Sequence, residues 1–251
     1  MKYVRIMKND VPTWGVLEGE HIRTLRKPPF ECPSCFDGDV VKLADCQLLA
    51  PTEPTKLVCI GKNYYDHAKE MGGEPPAKPL IFLKAPNTVN VQDGEIGAPD
   101  FVERLDYEGE LAVVIGKRAK HVKPENYEEY VLGYTCLNDV TARDVQYGDG
   151  QWSRGKSMDG FAPMGPVIET ELDYRHARLE TRLNGKVVQQ GNTEQLMHSL
   201  PELLAYITQS MTMEPGDIIA TGTPAGVGPM HHGDVVEVEI QGVGTLRNYV
   251  K

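Results

Sequence analysis

Apolar positions along the chain come in short runs that alternate with polar residues or close on glycine, the spacing of strands rather than of long helices. Tyr3-Val4-Arg5-Ile6 and Thr13-Trp14-Gly15-Val16-Leu17 are the first two strands of this kind, followed by a Glu18-Gly19-Glu20 turn. Asp37-Gly38-Asp39 reads as a further turn, and Pro51 and Pro54 punctuate a boundary. Beyond it the pattern predicts strands over 56–61, 80–84, 105–116, 132–140, 218–221, 235–240 and 245–250. Polar–apolar alternation over 178–190 is centred on Asn184-Gly185, a strong hairpin signal. Helical spacing is clearest over 200–211, where Leu200, Leu203, Leu204 and Ile207 share one face. A shorter helix is predicted over 63–71, with Asn63 as its N-cap and Gly72-Gly73 ending it. Strands outnumber helices and are joined mostly by turns. The fold class is therefore mixed β, mainly antiparallel with a few short helices, rather than a doubly wound sheet. Residues 1–50 form a small β-rich N-terminal domain and residues 51–251 the main one.

The segment 105–116 carries the first chemical hint. Glu108 and Glu110 stand two apart on a predicted strand, so their side chains share a face. Gly109 between them leaves the opposite face open to a close approach by another backbone. The apolar run that follows calls for burial on both faces. Two carboxylates fixed side by side repel, and a divalent cation between them is the simplest remedy. From this stretch alone, a solvated strand end accounts for the pair equally well.

Composition narrows the function. The chain has 251 residues and a net charge of −10, which opposes binding to nucleic acid or to an anionic membrane surface. No apolar run is long enough to span a bilayer, and the first residues lack a signal-peptide pattern, so a cytoplasmic location is expected. The five scattered cysteines suit reduced thiols. Cys32-Pro33-Ser34-Cys35 lacks the partner ligands of a zinc site and the surroundings of a redox motif.

Asp139, at the end of a predicted strand, supplies a third carboxylate. With Glu108 and Glu110 it would suit a hard ion, Mg²⁺ or Mn²⁺, that keeps positions open for water and a chelating 2-oxo acid. Alone, Asp139 is an ordinary capping acid. His67 and Glu70 share a face at i,i+3, an orientation that makes an imidazole a better base, and also an ordinary surface pair. Arg143, on a helical turn over 141–146 and exposed, Gln146 and Lys156 are basic or polar groups that could hold substrate oxygens or simply be solvated. The glycine-rich run from Thr221 to Gly228 could present backbone N–H groups and a hydroxyl to a carboxylate. It lacks the lysine of a nucleotide-binding loop.

Together, Cys59-Ile60-Gly61-Lys62-Asn63-Tyr64 with Asp66-His67, Phe82-Leu83-Lys84, Asp106 to Leu111, Asn138 to Asp144, Gly155 to Asp159 and Thr221 to Pro224 resemble the fumarylacetoacetate hydrolase family, over roughly residues 51–251. The resemblance implies a β-roll core, a homodimer and a Mg²⁺ or Mn²⁺ site on Glu108, Glu110 and Asp139. It implies a His67–Glu70 dyad on a segment ordered over the substrate, with Arg143, Gln146, Lys156 and Thr223 on substrate oxygens and Lys156 also catalytic. Lys62 departs from the arginine or leucine of the family pattern. The activity implied is C–C cleavage of a 2-oxo or 2,4-dioxo acid, of acylpyruvate or oxaloacetate type, through a metal-bound enolate. The alternatives are 2-hydroxyhepta-2,4-diene-1,7-dioate isomerase or 5-oxopent-3-ene-1,2,5-tricarboxylate decarboxylase chemistry of aromatic catabolism, and a non-catalytic, metal-stabilised 2-oxo-acid-binding protein.

Overall fold

The computed structural model describes residues 1–72 and 74–251. Its spine is a long sheet that runs, edge to edge, through Phe36–Lys42, His21–Leu25, Val11–Glu18, Lys2–Lys8, Ala162–Glu169, Val131–Asn138, Gly109–Ile115, Ile218–Ala220, Leu57–Gly61 and Leu80–Lys84. Neighbours are antiparallel except Ile218–Ala220 beside Leu57–Gly61, which run parallel. A second sheet is built on the predicted hairpin: Arg178–Leu183 and Lys186–Asn192 turn at Asn184 and Gly185, both at positive φ as that turn type requires. It continues through Val235–Ile240 and Gly244–Val250. A third, three-stranded sheet joins Thr141–Ala142, Leu105–Tyr107 and Gly228–Met230. The architecture is thus mixed β and mainly antiparallel, as the patterning implied.

Alternation explains the apolar run after Glu110. Leu111, Val113 and Ile115 face one core, where they meet Leu200, Leu203, Leu204 and Ile207 of the helix Leu200–Ser210. Ala112 and Val114 face a second core with Leu57, Cys59 and Ile218. Both faces of the strand beyond Glu110 are buried, which is why no polar residue interrupts the run Leu111–Ile115. The helix begins at Ser199, whose backbone N–H donates to the Glu202 carboxylate at 2.8 Å.

Several local expectations are corrected. The segment 105–116 is two strands in different sheets, broken at Glu108, rather than one. Asp37-Gly38-Asp39 lies within the exposed strand Phe36–Lys42, not in a turn. The short helix spans Tyr65–Glu70, and Asn63 does not cap it. Instead the Asn63 side chain donates to the carbonyls of Thr221 (2.8 Å) and His198 (3.2 Å) and accepts from the His198 N–H (2.9 Å). Gly73, expected at that helix's end, lies outside the described residues. Cys32 and Cys35 are bonded to each other rather than free. The Pro33-Ser34 turn holds their Cα atoms 5.6 Å apart, within disulfide range. The leader strands are continuous with the main sheet, because Lys2–Lys8 pairs with Ala162–Glu169. No helix of the described residues is long and apolar enough to cross a membrane.

Candidate active site

The break at Glu108 creates the site. Tyr107 ends a strand of one sheet and Gly109 starts a strand of another, and the Asn138–Asp139 corner ties the seam. The Glu108 N–H donates to Asn138 Oδ1 (2.9 Å), and the Asp139 N–H donates to the Glu108 carbonyl (2.8 Å). This brings Glu108, Glu110 and Asp139 together, all buried, with one oxygen of each within 4.8 Å of the others. Gly109 is needed for this packing. A Cβ there would lie 2.1 Å from Thr181 Oγ1 and 3.3 Å from Val238, so side chains, rather than another backbone, fill the open face.

Cations answer the acids unevenly. The Lys156 ammonium bridges Glu108 (2.9 Å) and Asp139 (2.7 Å). Lys84 donates to the other Asp139 oxygen (2.5 Å) and to the Val140 carbonyl (2.9 Å). Arg143 donates to Asp106 (2.8 Å), to Gln146 Oε1 (2.7 Å) and to Glu108. Arg143 was expected to be exposed. It is 3% exposed, since only a buried guanidinium can reach both Asp106 and Glu108. Burial raises the Glu108 carboxyl, but Lys156 and Arg143 more than reverse this and bring it to about 2. Glu110 is left out. Burial, then Asp139 and Glu108, push its carboxyl well above the ordinary range, and among the described residues it is met by one donor, the Gly222 N–H at 2.8 Å.

The remaining predicted residues converge on the same place. All of them except Glu70 line one cavity of about 90 Å³. Glu70 stands behind His67: its carboxylate meets Nδ1 at 3.2 Å and accepts from the Gly226 N–H at 3.0 Å. Nε2 is then the imidazole nitrogen left for a substrate or a water. The Thr223 hydroxyl donates to the Gly109 carbonyl and accepts from Gln189, both at 2.8 Å, which leaves it one acceptor lone pair. Sequence reasoning placed Lys84 and Asp106 in matching motifs but gave neither a role. Both are fully buried, and a lysine closing an apolar strand at Leu80–Lys84 was the available signal. It also missed the apolar wall of Ile60, Met71, Phe82, Tyr147 and Trp152.

An all-oxygen set of three buried carboxylates, one lacking a basic partner among the described residues, fits a hard divalent cation. Nothing in it favours zinc, whose sites are built on nitrogen and sulfur ligands.

Residues 56–251 match the family model described as "Fumarylacetoacetate (FAA) hydrolase C-terminal". The chain belongs to the fumarylacetoacetate hydrolase family. Residues 1–51 match a second model, "Rv2993c-like, N-terminal". The oxaloacetate tautomerase YisK of Bacillus subtilis is 43% identical over 223 residues, covering 83% of this chain and 74% of that one. A 2-hydroxyhepta-2,4-diene-1,7-dioate isomerase structure from Mycobacterium marinum superposes with a TM-score of 0.93 at 41% identity, covering 100% of this chain and 98% of that one. A fumarylpyruvate hydrolase of Pseudomonas aeruginosa, solved with Mn²⁺ and pyruvate, gives a TM-score of 0.75 at 32% identity over 81% and 91% of the two chains. Fumarylacetoacetate hydrolase family members thus include enzymes with tautomerase, isomerase and hydrolase names.

Proposed function

We propose that this protein is a divalent-metal-dependent enzyme that breaks a C–C bond in a 2-oxo or 2,4-dioxo acid, as a decarboxylase of oxaloacetate-type or a hydrolase of acylpyruvate-type substrates. The observation that carries this reading is Glu110: a buried carboxyl facing two acids, with no basic partner among the described residues, in a cavity that also presents His67, Arg143 and Lys156. Mg²⁺ or Mn²⁺ held by Glu108, Glu110 and Asp139 would supply fixed positive charge against the developing enolate oxygen.

The chain's own groups supply the rest. Burial opposes the charge on Lys156, but Asp139 and Glu108 hold it protonated, so it acts as a fixed cation rather than a base. Gln146 gives its Oε1 to Arg143, which leaves its amide N–H groups for a substrate oxygen. In hydrolysis, His67 Nε2 takes a proton from water and the hydroxide adds to the distal carbonyl. The C–C bonding pair then moves into the pyruvyl enolate, which is protonated to pyruvate. Decarboxylation places the same electron pair in the enolate as CO₂ leaves, and needs no attacking water.

A second reading is proton transfer without C–C cleavage, giving keto–enol or double-bond isomerisation. The tautomerase and isomerase relatives favour it. It passes through an enolate of the intact substrate rather than of pyruvate, with His67 as the proton carrier.

Turnover of acetylpyruvate, oxaloacetate and a 2-hydroxydiene dioate with Mg²⁺ or Mn²⁺ decides among these, following pyruvate release and enol absorbance separately. His67→Ala is expected to lower hydrolysis by about 10²- to 10⁴-fold and spare decarboxylation. Hydrolysis at the wild-type rate in that variant removes the water-activating role. Metal-dependent ligand binding with no turnover of any of the three leaves a binding protein instead.

A further inference from the structure

Lys62 lines the cavity, yet the chemistry above gives it no task. Its place is held from both sides. Gly61 before it pairs with Leu80 and lies so close to Trp152 that a Cβ would come within 2.7 Å of the indole ring. Asn63 after it is tied by three side-chain hydrogen bonds to Thr221 and His198. Between these anchors Lys62 adopts φ +57°, a left-handed conformation that a lysine rarely takes. A strained backbone held this firmly at a cavity wall is a sign of function rather than of packing.

Charge gives the function a direction. The cavity wall carries three basic side chains, Lys62, Arg143 and Lys156, and three acidic ones, Glu108, Glu110 and Asp139, a formal net charge of zero with histidine left out of the count. A divalent cation on the triad brings the sum to +2, the complement of a dianion. Arg143 and Lys156 are bonded to the acids, whereas Lys62 makes no ion pair with any described residue. One carboxylate of a 2-oxo acid is accounted for at the metal end, and the cation left for a second one is Lys62. The cavity is small, about 90 Å³, which suits a short acid better than a long one.

We infer that Lys62 is a specificity-determining residue whose ammonium takes the distal carboxylate of a short 2-oxo dicarboxylate. This rests on the reading of the triad as a metal site for 2-oxo acids. The test is a matched pair of acids of equal chain length, 2-oxoglutarate and 2-oxopentanoate, which differ only at the distal end. Binding is measured by calorimetry in Mg²⁺ and in EDTA, for the wild type, Lys62→Asn and Lys62→Arg. Asparagine tolerates the left-handed backbone, so the neutral variant keeps the fold. A charge-assisted hydrogen bond corresponds to roughly 10- to 100-fold, so the wild type should favour 2-oxoglutarate by at least about tenfold. Lys62→Asn should reduce that ratio to within about twofold without changing the affinity for 2-oxopentanoate, and Lys62→Arg should keep most of it. The same split is expected in turnover, with KM for oxaloacetate rising in Lys62→Asn and kcat little changed. Metal-dependent binding of both acids with no distal preference, a ratio unmoved in Lys62→Asn, or a ratio lost equally in Lys62→Arg each overturns the role of Lys62 alone. Binding of both acids that is the same in EDTA overturns the metal reading, and this inference with it.

Discussion

Replacing Glu110 by glutamine separates the two situations of this side chain. Without a cation it is a buried carboxyl that burial, Asp139 and Glu108 all push toward the protonated form. Glutamine has the same shape, and its carbonyl can still accept the Gly222 N–H that lies 2.8 Å from the carboxylate. The repulsion with Asp139 and Glu108 disappears. The metal-free variant should therefore match the wild type or gain up to about 1 kcal/mol. With a cation the sign reverses, because one of three anionic ligands has become neutral. A ligand that binds only the native state at about a hundredfold above its dissociation constant stabilises it by ~2.7 kcal/mol. For a chain of this length that raises Tm by about 5–11 °C, at ~2–4 °C per kcal/mol. Calorimetric melting of EDTA-treated protein, before and after addition of Mg²⁺ or Mn²⁺, reads both halves. The wild type should show the increment and Glu110→Gln should lose most of it. A variant that keeps the full metal increment, or that melts without metal as though it had lost more than about 3 kcal/mol, would refute the reasoning, since that is the loss expected of a structural hydrogen-bonding group.

Two further substitutions probe the scaffold. Gly109→Ala places a methyl group where Thr181 Oγ1 is 2.1 Å away, so it should cost about 1–3 kcal/mol in chemical denaturation and weaken metal binding by shifting Glu108 or Glu110; wild-type stability with wild-type metal affinity would show that the Thr181 side chain simply rotates aside. Asn63→Ala removes three hydrogen bonds between the segment before the short helix and the 197–222 region, and should cost about 2–4 kcal/mol while raising KM more than it lowers kcat; a loss below about 0.5 kcal/mol would mean that the anchoring is not energetically significant.

The site was more legible in the sequence than the fold's details, for a physical reason. A strand's alternation reports which face a residue takes, and that sufficed to put Glu108 and Glu110 together. It does not report which sheet receives each half of the segment, so the break at Glu108 was invisible, although that break is what lets Asn138 and Asp139 close on the pair. Arg143 shows the converse failure. A guanidinium in a polar helical turn reads as solvated, and its burial follows only once Asp106 and Glu108, 37 and 35 residues away, are known to face it. Lys84 carried a signal that went unused: a lysine ends the apolar run Leu80-Ile81-Phe82-Leu83, and once buried it must be met by an acid, here Asp139. The exposed strand Phe36–Lys42 offered none, because its side chains answer to solvent rather than to a core and their order carries no period. Legibility therefore tracks burial. Where a side chain must satisfy a partner in a dry interior, its type is constrained tightly enough to be read, and Glu108, Glu110 and Asp139, whose mutual repulsion must also be answered, are constrained most.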